Sequence, residues 1–172
     1  MTPGTVARRR AGGASPAEGP DPDSLTVRAV LLASEDRDIP TSAIDLAARI
    51  AKRSDAPVHV FTIARIWGTS FGFPNPGLNP TRREWDQQRH NVEKAIGRLE
   101  RKGVEADGRV VATRAGAKRI VKEAQRLDCD VIVMGADPRR HALIRNFVWR
   151  QEPHRVQRRA RVPVFLVIDQ AA

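Results

Sequence analysis

The chain has 172 residues, 30 lysines and arginines against 20 acids, and a formal net charge of +10. That length suits one domain whose core needs no metal or disulfide staple, and the single cysteine, Cys129, excludes an internal disulfide. No apolar run reaches the roughly eighteen residues of a membrane span, and Arg8–Arg10 lead into Ala11-Gly12-Gly13 instead of the apolar stretch of a secretory leader; a cytoplasmic protein without membrane contact is expected.

Residues 1–24 hold four prolines and four glycines among few large apolar side chains. They cannot offset the entropy of ordering, so a disordered tail is expected before one α/β domain over 25–170. Leu25–Ser34 (LTVRAVLLAS) reads as a buried first strand, and Glu35–Pro40 as a polar turn. Thr41 or Ser42 is expected to cap a helix ending near Ser54, with Ile44, Ala47, Ala48 and Ala51 as its apolar stripe. Pro57–Ile66 is a second strand. In Trp67–Pro80, three prolines and three glycines among Trp67, Phe71 and Phe73 exclude a regular element and suggest a lid or a subunit contact.

Thr81 and Glu84 form a capping box for a helix that runs to Lys102 and stops at Gly103, with Trp85, Val92, Ile96 and Leu99 inward. Val104–Thr113 reads as a third strand containing a turn-like Asp107-Gly108. Gly116–Asp128 is a helix with Ile120, Val121, Ala124 and Leu127 inward, and Asp130–Met134 is a fourth strand ending at Gly135. Helical signal returns within 142–160, and Pro163–Ile168 is the last strand. Strands alternating with helices predict parallel pairing and right-handed crossovers: a small doubly wound α/β domain, with a ligand site above strands one and four.

From Pro138 to Val162 eight arginines face one acid, Glu152, and hold +7 of the total charge. Such a segment favours anionic partners, although a solvated surface needs none. Arg139, Arg140 and Arg145 can clamp a phosphate at the end of strand four, or simply line a solvated loop. Phe147 and Trp149 can stack on a base or pack the last helix. His59 reads as structural, and His90, His141 and His154 are too scattered for a metal. Cys129, between Asp128 and Asp130, reads as an inert residue at the core edge. The acidic turn Glu35, Asp36 and Asp38 needs no function. No G-x-S-x-G, Walker A or G-x-G-x-x-G motif occurs, and no enzymatic activity is expected.

Three stretches in this order, AVLLASEDRDIPTSAIDLAARIA, GAKRIVKEAQRLDCDVIVMGA and RRARVPVFLV, resemble the universal stress protein family over Leu25–Asp169. The resemblance implies a five-strand parallel sheet with helices on both faces, Rossmann-like. It also implies homodimers, often through the last strand, and a division into members that bind ATP and members that do not. Binding members carry Gly-x-x-Gly after the fourth strand and Gly-Ser or Gly-Thr further on, where bare backbone amides meet phosphate. Here Gly135 takes the first position, while Pro138, which has no N–H, takes the second. Arg150-Gln151 stand where Gly-Ser would fall, and no glycine follows Gly135. The family's early Asp falls at Ser34 or Glu35. The resemblance therefore implies a degenerate cleft bordered by Ser34, Glu35, Gly135, Arg139, Arg140, Arg150 and Gln151, with ATP or AMP as the nucleotides it would take. The expected role is non-enzymatic, in stress response. Two other readings stand beside it: an arginine-driven binder of polyanions such as nucleic acid, and a protein-interaction module built on loop 67–80.

Overall fold

Five apolar segments pair in parallel in a computed structural model that describes residues 20–66, 79–136 and 152–168. They are β1 (Val30–Glu35), β2 (Val58–Arg65), β3 (Ala106–Thr113), β4 (Val131–Ala136) and β5 (Val164–Ile168), in the order β3-β2-β1-β4-β5. The helices are α1 (Thr41–Ser54), α2 (Arg82–Arg101), α3 (Gly116–Arg126) and α4 (Glu152–Arg159). The doubly wound α/β architecture is thus the one the alternation predicted.

Successive strand residues point to opposite faces, and two cores result. Val30, Leu32, Val58, Val60, Val131 and Val133 pack under α1 and α2. Leu31, Ala33, Phe61, Ile63, Ile132 and Met134 pack under α3 and α4. β1 and β4, covered on both sides, are buried at every residue, which is why neither alternates in polarity. The chain winds outward through β2 and β3, then crosses back to β4, so the direction of winding reverses between β1 and β4.

Several boundaries moved, each for a reason beyond local sequence. β1 starts at Val30 because the amides before it bond to side chains instead of a neighbouring strand. Val27 N–H donates to Ser54 Oγ at 3.0 Å, and Arg28 N–H to Asp130 Oδ2 at 2.7 Å. The Arg28 guanidinium adds a second contact to the same carboxylate at 2.8 Å. Neither Thr41 nor Ser42 caps α1: the residue before the helix is Pro40, whose carbonyl accepts from Ala43 and Ile44 at 3.1 Å. Asp107-Gly108 makes no turn. The two residues pair with His59 and Val60, and Gly108 lets Val92 of α2 lie where a Cβ would stand, 2.5 Å from its Cγ1. β4 continues through Gly135 to Ala136, paired with Val167 and Ile168.

The end signals of α2 held. The Thr81–Glu84 capping box opens α2, and Gly103 follows it at φ 72°. The expectation of a disordered tail through residue 24 is corrected at its end: Pro22–Ser24 forms a 3-10 turn capped by the Asp21 side chain and tied to α1 by Asp23–Arg49 at 3.1 Å. Among the described residues, no helix is long and apolar enough to cross a membrane.

Candidate cleft at the winding switch

The carboxyl ends of β1 and β4 lie side by side at the winding reversal, where open α/β sheets receive ligands. A small cavity there is lined by Ser34, Glu35, Arg37, Arg65, Met134, Gly135 and Pro153. The sequence-predicted Ser34, Glu35 and Gly135 therefore do meet. Arg139, Arg140, Arg150 and Gln151 lie outside the described residues, as do Arg145, Phe147, Trp149 and most of loop 67–80.

Each of the three is already engaged by the protein. Ser34 donates its hydroxyl to the Arg37 carbonyl at 2.9 Å, closing the turn after β1. Glu35 and Arg65 end neighbouring strands on the same sheet face, and their side chains, 5% and 11% exposed, approach to 3.7 Å. The Glu35 carboxyl also lies against the first residue of α3: a Cβ on Gly116 would meet its Cδ and both oxygens at 2.5–2.6 Å. The amino end of a helix favours negative charge. Here the protein's own carboxylate holds that position.

Gly135 owes its identity to a different contact. A Cβ there would stand 2.5 Å from Cγ and 2.7 Å from Cδ of Pro40. The sequence suggests a glycine kept bare for a ligand; on its Cβ side the pyrrolidine ring at the head of α1 fills the space, and Gly135 also lines the cavity. Among the described residues, the cavity lined by those seven residues has a volume of about 20 Å³, room for one water molecule. Next to it Asp36 turns the chain at φ 50°. Burial pushes its carboxyl above the usual range and the charge of Glu84 pushes the same way, against Arg65 and Arg37.

Arg37, Arg65, Pro40 and Pro153 escaped the sequence reading. Arg65 alone left a trace, a charge closing an otherwise apolar strand.

His59, Cys129 and Glu123 sit in structural contacts. His59 Nδ1 lies 2.9 Å from Asp107 Oδ1 across β2 and β3, and among the described residues no cluster could hold a metal. Cys129 is buried, and its thiol is pushed up to about 12 by burial, reinforced by Asp130, Asp107 and Asp128. Away from the cleft, Glu123 on α3 is a buried carboxylate that accepts from Arg126 Nη2 at 2.7 Å and Arg109 Nη1 at 3.4 Å, with Arg119 at 3.6 Å.

The sequence profile of the universal stress protein family matches residues 26–167. No curated protein matches the chain. Among solved structures, a universal stress family protein from Burkholderia pseudomallei superposes with a TM-score of 0.60 at 21% identity, covering 81% of this chain and 95% of its own. A universal stress protein in complex with cAMP gives 0.59 at 20% identity, covering 84% and 98%. One from Archaeoglobus fulgidus in complex with dAMP gives 0.58 at 17%, covering 80% and 94%. At these identities the likeness is one of fold.

Proposed function

This chain belongs to the universal stress protein family, and from that membership we propose a non-enzymatic, cytoplasmic, homodimeric stress-response protein whose cleft has lost the nucleotide mode of its binding relatives. One observation carries the reading: among the described residues, the cavity at the winding switch holds about 20 Å³, beside Gly135 packed on Pro40 and Glu35 at the head of α3. Pockets for small ligands run to roughly 300 Å³ and more. Glu35 further sets a carboxylate where a phosphate would seek the helix end, and like charges that close repel. Relatives solved with cAMP and dAMP make adenine nucleotides the ligands to try. A non-enzymatic role is supported by the one thiol, Cys129, being buried and protonated at neutral pH.

Isothermal titration of the full chain with ATP, ADP, AMP and cAMP tests this. No saturable heat at micromolar concentrations is expected. A stoichiometric micromolar isotherm for ATP or AMP would overturn the degenerate-cleft reading and restore a nucleotide role.

A further inference from the structure

The fold brings a second basic segment, α3, against α4, which carries the described end of the basic stretch visible in the sequence. α3 and α4 lie side by side on one face, joined through Ile120, Ala124 and Val156 in a shared core. α4 and its exit carry Arg155, Arg158, Arg159 and Arg161, and α3 with its approach adds Arg114, Lys118, Arg119, Lys122 and Arg126. The acids of these two segments are only Asp128, Glu152 and the buried Glu123. Glu123 is already shared by Arg109, Arg119 and Arg126, so even that cluster keeps a surplus of positive charge. Lys118, Lys122, Arg158, Arg159 and Arg161 are exposed and form no ion pair with any described acid. The opposite layer differs in kind. There Glu84, Asp86, Glu93 and Glu100 interrupt the cations of α2, and Asp45 of α1 pairs with Arg98 and Lys102.

We propose that the α3–α4 face binds the phosphate backbone of double-stranded nucleic acid without reading its sequence. Lys118, Lys122 and Arg126 recur every fourth residue, about 6 Å apart along the helix axis. A duplex offers a phosphate on each strand about every 3.4 Å of its axis, so such a row faces several phosphates at once. Adjacent packed helices lie roughly 8–10 Å apart, so α4 sets a second row of cations beside the first. Guanidinium forks suit phosphate oxygens. An anionic membrane fits less well, because surface-bound helices insert apolar side chains, and the one large hydrophobic group exposed among the described residues is Ile168 on β5.

The test is fluorescence anisotropy of the full chain with a labelled mixed-sequence duplex, from low to physiological salt. Binding should weaken with a slope of log affinity against log salt of about −4 to −6. Lys118→Glu with Lys122→Glu, and separately Arg158→Glu with Arg159→Glu, should each flatten the slope by about two. Neutral Gln versions should do so with intact folding by circular dichroism. Lys94→Glu with Arg101→Glu, exposed on α2, should leave it unchanged. Three results overturn the proposal: no complex at low salt, unchanged slopes in both α3 and α4 variants, or preference for phosphatidylserine vesicles over the duplex. None bears on the nucleotide titration, which reads a different surface.

Discussion

Glu123 shows how one side chain can make stability depend on pH. Burial pushes its carboxyl up, but the hydrogen bond from Arg126 and the charges of Arg109, Arg126 and Arg119 outweigh that and hold it below the ordinary value of 4.5. Asp45 is lowered by its hydrogen bond from Arg98, and Asp130 by its bond from Arg28. A carboxylate with a lowered folded value binds protons less readily folded than unfolded. Its stabilisation is complete above the unfolded value and is lost as pH falls through the folded one. The melting temperature is therefore expected to drop between about pH 5 and pH 3. Asp36, raised by burial and Glu84, works in the opposite sense and softens the drop. Glu123→Gln should cost about 2 kcal/mol in urea unfolding near neutral pH, the low end for a buried ion pair because Arg109 and Arg126 are half exposed. That deficit should shrink as pH falls below the ordinary carboxylate range and wild type also loses the charge. A deficit independent of pH would mean the charge contributes nothing.

At the scale of elements, the contact between the head of α1 and the end of β4 shapes the cleft. Gly135→Ala places a methyl group 2.5 Å from a ring carbon of Pro40, and overpacking of this kind costs about 1–3 kcal/mol. Pro40→Ala removes the two crowding ring atoms, so the double variant should be more stable than the sum of the single changes, by a double-mutant cycle in urea. Additive losses would show that the two residues do not touch in solution. The same contact marks where sequence reading stops. α2 was legible from end to end because Thr81, Glu84 and Gly103 act within a turn of their own positions. Gly135 was placed at the right strand end, but its packing against Pro40 was not legible, since Pro40 comes from a distant part of the chain. Leu25–Ala29 is as apolar as a strand, yet its amides are claimed by Ser54 and Asp130, 27 and 102 residues away. Glu35 was found by its place after β1, whereas Arg65 emerges as its partner only once β1 and β2 are in register.

At the scale of the whole molecule, the two edges of the sheet are unlike. β3 shows Asp107, Gly108 and Arg109 to solvent, charges of the kind that discourage edge pairing. β5 reads VFLVI, is only half covered, and leaves Ile168 47% exposed. Self-association is therefore expected at β5, with light scattering giving twice the chain mass and Ile168→Asp shifting it toward the monomer. A variant that keeps the doubled mass would remove β5 from the interface. The element order, hydrophobic strand ends and parallel architecture were all readable without coordinates, because buried parallel strands and amphipathic helices announce themselves by composition and period. The pairing of α3 with α4, and with it the doubled basic face, was not, since no local pattern says which helices share a side.

The two-handed grip of Arg28 on Asp130 joins the base of β1 to that of β4 across 102 of the 172 residues. A chain emerging from the ribosome offers β1 and β2 early, but β1 lacks its second neighbour until residue 136 has been made. Throughout that interval VLLASE is a naked apolar ribbon, able to pair with the same ribbon on a polysome neighbour. The hazard of misassembly is therefore expected to fall mainly within synthesis, before β4 closes the open edge of β1.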